Sequence, residues 1–529
     1  MNKVFVNGQI FTSHSDRPYA SAMVVSEGRI AWIGEEADLP VCEGEKIDLH
    51  GSRVLPGLID THMHPLMLAH TFKQIACTPP ALHSIEQLLG KIRAYRETHQ
   101  DDASAIQCWG YDEGKLTEGR APSRWDLDQA ASDVPVIVTR SCGHICAVNS
   151  FVLHKLGITR DTPNPQGGQI DKDENGEPTG ILRENARKLV ADLLPSTSIE
   201  QDAATLAELS PHLFSHGITT IAELMARSEP TDYFETYQRA KEVGFQHRTV
   251  MYYLWDDLKK DPSLVTEKTD PRAHIHIGGV KLFADGSVSG QTAWVDPPFL
   301  ETEIDGIAMT SNEELLEAGA FAEKHGIQLL IHAMGEKAIQ LILDTFSGKK
   351  GWIPDAPSIR IEHAALLTEE MIRQASEAGI ALIPQPIFLY AEIESYLNNL
   401  GAKRTKKAYP IRSFLEAGVK VSISSDAPAT AWADPANPFV GLKSVVTRIA
   451  YDGTDTGQEE RIDVPTAVML YTKGAQQVTR IPDIGQLAPG YWADFIVLDR
   501  DIFAVAPEEI DQVRVTKTYR NGELVYRRG

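Results

Sequence analysis

The sequence predicts an α/β protein: a (β/α)8 TIM-like barrel, a β-sandwich built from both termini, and an α/β insertion after the first barrel strand. Three observations carry that prediction. From about residue 205 onward, apolar strand-like runs alternate with amphipathic helical stretches; both ends of the chain read as short strands broken by turns; and residues 71–204 fit neither pattern.

The first fifty residues hold "KVFVNGQIFT", "SAMVVSEGRIAWIG" and "KIDLHG", with an Asn7-Gly8 turn. The last forty-five repeat the style in "IGQLAPGYWADFIVLDRD" and "VRVTKTYRNGELVYRR". Neither end suffices for a core, so the two are expected to pair as one sandwich from residues 1–55 plus 481–529. Next comes "VLPGLIDTHMH", the first barrel strand, and after it the insertion, 71–204, which mixes helix ("SIEQLLGKIRAYRETH"), strands and a turn-rich excursion, "TRDTPNPQGGQIDKDENGEPTG".

The barrel, 56–70 plus 205–480, then resumes with "GITTIAELM", "FQHRTVMYYL", "IGGVKLFADG", "GIQLLIHA", "SIRIEHAALL", "GIALIPQP" and "VKVSISSDAP". With the first strand these make eight. Intervening stretches such as "SNEELLEAGAFAEKH" have apolar positions three and four apart and acidic residues in the first turn, as helices do. Eight near-continuously apolar strands alternating with helices point to a closed barrel. The competing open doubly wound sheet lacks its Gly-rich phosphate fingerprint here.

Composition narrows the function. The 529 residues are 42% hydrophobic and 23% charged, which is ordinary for a folded protein. A balance of 51 basic against 73 acidic residues, net −22, argues against nucleic acid and anionic membrane as partners. The five cysteines are scattered and odd in number, so a disulfide framework is not expected and a reducing cytoplasm is. Cys142 and Cys146 flank His144, but no second short-spaced pair exists to complete a structural zinc site. The N-terminus lacks the pattern of a signal peptide, and no apolar run is long enough to span a bilayer. A homodimer is one arrangement the chain could adopt, given how common symmetric pairs are.

Barrel chemistry collects at the C-terminal ends of the strands. His62 and His64 end the first strand, and alternation turns i and i+2 to one side. Lys281 lies in the fourth strand, His332 ends the fifth, His363 the sixth, and Asp426 follows the eighth. Singly, each reads as a rim hydrogen bond, a snorkelling lysine or a helix cap. Four histidines, a lysine and an aspartate gathered at one end of a barrel read as a metal site.

The motifs "PGLIDTHMHP", "GGVKLFADGSVSG", "IHAMGEKAI", "RIEHAAL", "SSDAP" and "GQLAPGYWADFIVLD" resemble the metal-dependent amidohydrolase superfamily. More narrowly, the whole chain resembles its amidohydrolase-3 branch, the N-substituted formamide deformylase-like proteins. The resemblance implies two divalent ions, with zinc favoured and manganese, iron or cobalt also suited. It places His62, His64 and Asp426 on the first ion and His332 and His363 on the second, with Lys281 carboxylated to bridge them. A metal-bridging hydroxide would then attack a small-molecule substrate at a non-peptide C–N bond of amide or formamide type, with Asp426 moving the proton. His144 is the expected donor to the substrate carbonyl, and Asn149 matches the branch's pattern beside it. Trp109, Asp285, Trp294 and Gln385 are candidate substrate contacts, with Phe388 and Tyr390 as apolar wall.

In the superfamily's mononuclear deaminases a glutamate follows the fifth-strand histidine by three residues. Here Glu336 follows His332 by four. Ester, lactone or cyclic-imide hydrolysis and mononuclear deamination remain the alternative chemistries. A non-catalytic scaffold is the alternative from outside enzymology.

Overall fold

The computed structural model of the chain describes residues 2–78, 82–194 and 197–529. Both termini build one sandwich. A sheet of Arg29–Gly34, Ala22–Ser26, Lys3–Val6 and Glu45–Asp48 faces a second sheet, in the order Glu523–Arg527, Val515–Arg520, Phe495–Leu498, Arg53–Pro56, Gln9–Phe11 and Tyr19–Ala20. Alternate residues of the two sheets fill the space between them, among them Phe5, Met23, Val25, Phe495 and Tyr519. Phe5 meets Phe495 and Tyr519 edge-on at 4.9 and 5.3 Å.

Arg53–Pro56 leads across Gly57 into the barrel. Its strands are β1 (Leu58–Met63), β2 (Ile218–Ala226), β3 (Arg248–Leu254), β4 (Ile275–Phe283), β5 (Gln328–Ala333), β6 (Ile359–His363) and β7 (Ala381–Ile383). They are hydrogen-bonded in the order β7-β6-β5-β4-β3-β2-β1, all parallel. Helices such as Asn312–His325, Glu336–Phe346 and Glu369–Ala378 pack outside. The separate cluster of Ile59, Ala222, Leu224, Val250, Tyr252 and Leu330 comes from alternate positions of four strands and is closed by Ala475, Ile481 and Ile484. Such layering fills the inside of a barrel.

The expected eighth strand is the one departure. Residues 420–427 close the ring between β7 and β1, but with a single ladder bridge, Leu382 to Val421. Its other backbone links are Leu382 N to Lys420 O (3.1 Å), Ser424 N to Pro384 O (3.3 Å), Asp426 N to His62 O (2.8 Å) and His64 N to Ala427 O (2.9 Å). The Ser-rich run explains this: Ser422 Oγ donates to Leu470 O at 3.0 Å and Ser424 Oγ accepts from Gln385, partners a regular ladder would not need. Asp426 itself has a left-handed backbone (φ 55).

After β1 and the helix Pro65–Thr71, the chain forms a third sheet, ordered Gly168–Lys172, Pro178–Glu184, Ile145–Val148, Val136–Arg140, Ile106–Tyr111 and Ile75–Ala76. The turn-rich excursion is the hairpin formed by its first two strands. The 17-residue helix Ile199–Ser215, opened by a Ser198 capping box, then returns the chain to β2.

Candidate metal centre

Period-two geometry brings both imidazoles of β1 to one point. His62 Nε2 lies 3.2 Å and His64 Nε2 2.9 Å from the same oxygen, Asp426 Oδ1. The reciprocal backbone bonds between His62, His64 and residues 426–427 fix that meeting. His363 Nδ1 is 3.9 Å from Asp426 Oδ2. Ligand atoms of His62, His363 and Asp426 all fall within 4.8 Å of one another. His332 joins through His363, with ring centroids 4.2 Å apart, while its Nε2 lies 2.9 Å from Gly286 O. All six predicted ligands are buried. His363 (φ 71), Ala364 (φ 46) and Asp426 (φ 55) hold left-handed backbone, so local strain accompanies the convergence.

Charge is distributed unevenly. Burial pushes Asp426 up, but His62, His64 and His363 outweigh it and hold the carboxyl well below its usual range. Burial also works against protonated His64, yet Asp426 and Glu223 prevail and raise it to about 9. Lys281 is pushed down to about 8 by burial, partly offset by Glu362 and Asp426.

Four buried atoms here have no hydrogen-bond partner among the described residues: His64 Nδ1, Lys281 Nζ, His363 Nδ1 and Asp426 Oδ1. Unsatisfied buried polar atoms each cost about 1–3 kcal/mol, and a convergent set of them needs a ligand to make sense. Nitrogen and carboxylate donors of this kind suit divalent zinc and its first-row neighbours. The residues therefore fit a metal.

Behind the ligands stands a layer that sequence reading missed. Glu362 Oε2 lies 2.7 Å from His62 Nδ1, and its Oε1 accepts from Arg360 Nε at 2.8 Å. Arg360, wholly buried, also donates to Thr61 O at 2.8 Å. Burial would raise Glu362, but Arg360 and His62 hold it at about 2. Glu223 Oε1 is 3.5 Å from His64 Nδ1, and its other oxygen accepts from Tyr237 Oη at 2.7 Å. Asp60, raised by burial to about 6, accepts from the backbone of His62 and Ser425. Carboxylates that orient a ligating imidazole in this way fix its tautomer.

The insertion contributes His144. Its ring centroid is 5.2 Å from that of His332, and its Nδ1 lies 2.6 Å from Glu184 Oε2. Glu184 was also missed; its φ of 49 and buried Oε1 mark it as a constrained residue. The other predicted contacts sort by geometry. Asp285, raised by burial to about 8, accepts three backbone N–H groups, from Met334 (3.0 Å), Gly335 (2.8 Å) and Trp294 (2.9 Å). It orders the loop that carries Trp294 and stands 3.6 Å from His332 Nε2. Gly335 is required there, because a Cβ would sit 2.2 Å from Trp294 O.

Gln385 Nε2 is spent on Ile383 O and Ser424 Oγ, leaving Oε1 buried without a partner. Phe388 stacks on His363 at 6.0 Å, and Tyr390 packs against Trp432. Trp109 is buried, with its ring edge 3.7 Å from where a Cβ on Gly143 would sit. Asn149 is structural: it caps Ser150–Leu156, and both its side-chain groups are satisfied by backbone. Glu336 is held by Arg404 Nη2 at 2.9 Å and by Asp296 N, apart from the cluster. The thiols of Cys142 and Cys146 are free, and burial raises both.

The chain resembles known proteins over nearly its whole length. The model of the amidohydrolase family matches residues 45–526. YtcJ of Bacillus subtilis is 29% identical over 99% of each chain, and the N-substituted formamide deformylase of Arthrobacter pascens is 27% identical over 99% of this chain and 98% of its own. Among solved structures, a metal-dependent hydrolase from Pyrococcus horikoshii superposes with a TM-score of 0.75 at 26% identity, covering 96% of this chain and 99% of that one.

Proposed function

The chain belongs to the amidohydrolase family, and from that premise we propose that it is a metal-dependent hydrolase of a small-molecule amide or formamide, cleaving a C–N bond other than a peptide bond. The observation that carries the reading is the set of four partnerless buried atoms at the ends of β1, β4 and β6 and beside Asp426. His62, His64 and Asp426 would hold one divalent ion, His332 and His363 a second, and Lys281 would join them. When bound, such ions lower the pKa of water toward roughly 7 and polarise a carbonyl.

The chain's own groups supply the rest. Lys281, lowered by burial to about 8, is neutral in about a tenth of the population at pH 7, far more than an exposed lysine. That amine can add carbon dioxide, forming an N–C bond and releasing one proton, to give a carbamate with two donor oxygens. Asp426 is ionised, so it can accept a proton and deliver it to the departing nitrogen. His144 Nδ1 is turned to Glu184, which leaves Nε2 to face the substrate, where it would donate to a carbonyl when both ring nitrogens carry a proton. Gln385 Oε1 offers an acceptor for a substrate N–H. Trp109 and Trp294 would frame an apolar substituent. The name of the Arthrobacter relative supports N-formyl amines as the first substrates to try.

Elemental analysis combined with a screen of N-formyl and N-acyl amines tests this. About two ions per chain at the barrel end, with hydrolysis abolished in His332→Ala and Asp426→Ala while circular dichroism stays native, is expected. Full activity in either variant, or no metal uptake, overturns the reading.

A further inference from the structure

A second group of metal-ligating side chains lies apart from the barrel-end cluster. His212 sits in the last turn of the helix Ile199–Ser215 and His216 is its C-cap. At i and i+4 both rings leave the same side of the helix. Asp434 comes from the loop between Asp426 and the helix Pro438–Thr447. His212 Nε2 is 3.2 Å from Asp434 Oδ1, and His216 Nε2 is 2.9 Å from Oδ2. The three ligand atoms lie within 4.8 Å of one another.

The directions discriminate between an ion pair and an ion site. His216 Nε2 and Asp434 Oδ1 are sealed from solvent yet have no hydrogen-bond partner among the described residues. At 3.2 and 2.9 Å the close contacts therefore leave both atoms short of full hydrogen-bond geometry. The two imidazoles stand at 90°, centroids 4.7 Å apart. Phe72 packs edge-on against His212 at 5.2 Å and holds that ring in place. Donors 2.0–2.2 Å from one tetrahedral ion are separated by roughly 3.3–3.6 Å, somewhat more than the 3.2 and 2.9 Å seen between imidazole and carboxylate, so an entering ion would draw these groups apart by under about 1 Å. Burial pushes Asp434 up, but His212 and His216 hold it well below the usual carboxylate range, so the anion persists. Side chains of His212 and Asp434 keep 31% and 38% exposure, which leaves an entry path and room for a water.

We propose that His212, His216 and Asp434 form a divalent-metal site that clasps the loop leaving Asp426 to the helix entering β2. Two imidazoles and one carboxylate select zinc or a similar first-row ion over calcium or magnesium. None of the three residues belongs to the barrel-end site, so the inference stands or falls independently of the proposed hydrolysis.

The test uses the full chain, stripped by chelator and reloaded with Zn2+ alone. His212→Ala, at a part-exposed helical position, and Asp434→Asn, nearly isosteric, are each expected to bind one ion fewer than the unsubstituted protein. Affinity at this site should weaken by more than about 100-fold, since loss of even an outer partner costs 10–100-fold. Zinc should protect the 427–437 loop from proteolysis in the parent and not in these variants. A chain carrying Asp426→Ala and His332→Ala should retain the clasp ion and lose it on adding His212→Ala. If His212→Gln and Asp434→Asn, both folded by circular dichroism, keep the parent's ion count and protection, the cluster is an ion pair alone and the proposal is wrong.

Discussion

Replacing Glu362 by glutamine probes how buried charge holds His62, a candidate metal ligand. Glu362 and Arg360 are both fully buried and bonded at 2.8 Å, and Glu362 also meets His62 Nδ1 at 2.7 Å. Removing one partner of a buried ion pair costs 3–5 kcal/mol because the other charge is left uncompensated. Glutamine keeps an oxygen for Arg360, so about 3 kcal/mol is expected for Glu362→Gln. Arg360→Met leaves an anion beside His62 alone, and about 4 kcal/mol is expected. If the two act as a unit, the double variant falls short of the sum by about 2–3 kcal/mol. Urea unfolding of the metal-free protein measures all four corners of this cycle. Zinc titration gives a second reading: Glu362→Gln weakens His62 as a ligand and should lower affinity 10–100-fold. Additivity within about 0.5 kcal/mol together with unchanged affinity would refute the account.

Other expectations follow from single residues. Lys281→Ala should lose one of the two barrel-end ions and recover partly with acetate or propionate; a variant that keeps both of those ions and full rate removes the carbamate bridge. In Asp285→Asn at least one of the three N–H groups loses its acceptor, which costs about 1–3 kcal/mol and loosens Trp294, visible in thermal melting and tryptophan fluorescence. Burial would raise Asp126, but the bonds from Arg120 and Ser123 hold it at about 2, against 3.8 in the unfolded chain. A depressed carboxyl stabilises above its unfolded pKa and loses that effect as pH falls from 3.8 through about 2. The pair is worth about 1 kcal/mol after allowing for the half-exposed Arg120. Asp126→Asn should flatten the stability profile over that window, and an unchanged acid midpoint would remove this contribution.

Much of the architecture was legible because strand and helix periods leave different marks. β1 to β7 read as apolar runs, and the paired termini read as strands with Asn-Gly turns at Asn7 and Asn521. Residues 420–427 read equally well as a strand, but a pattern of side chains does not report whether serine hydroxyls will take over the backbone's partners. That depended on Gln385 and Leu470, remote in sequence.

The site divides in the same way. Its histidines, Lys281 and Asp426 were visible because they break apolar strands at the end where barrel chemistry sits. Glu362, Arg360, Glu223 and Glu184 also break strands, yet a lone charge in "SIRIEHAALL" or "IAELM" carries no sign of its partner. Their partners are long-range: Glu362 is 300 residues from His62, and Glu184 is 40 from His144. Arg360 and Glu362 sit two apart on β6, so alternation turns both to one side and brings them together. The next residue, His363, should by the same alternation face away. It reaches the candidate cluster where the chain turns left-handed at His363 and Ala364. One strand end thus carries a candidate ligand, a supporting carboxylate and the guanidinium that holds it. A residue's side-chain type could not have announced that conformation.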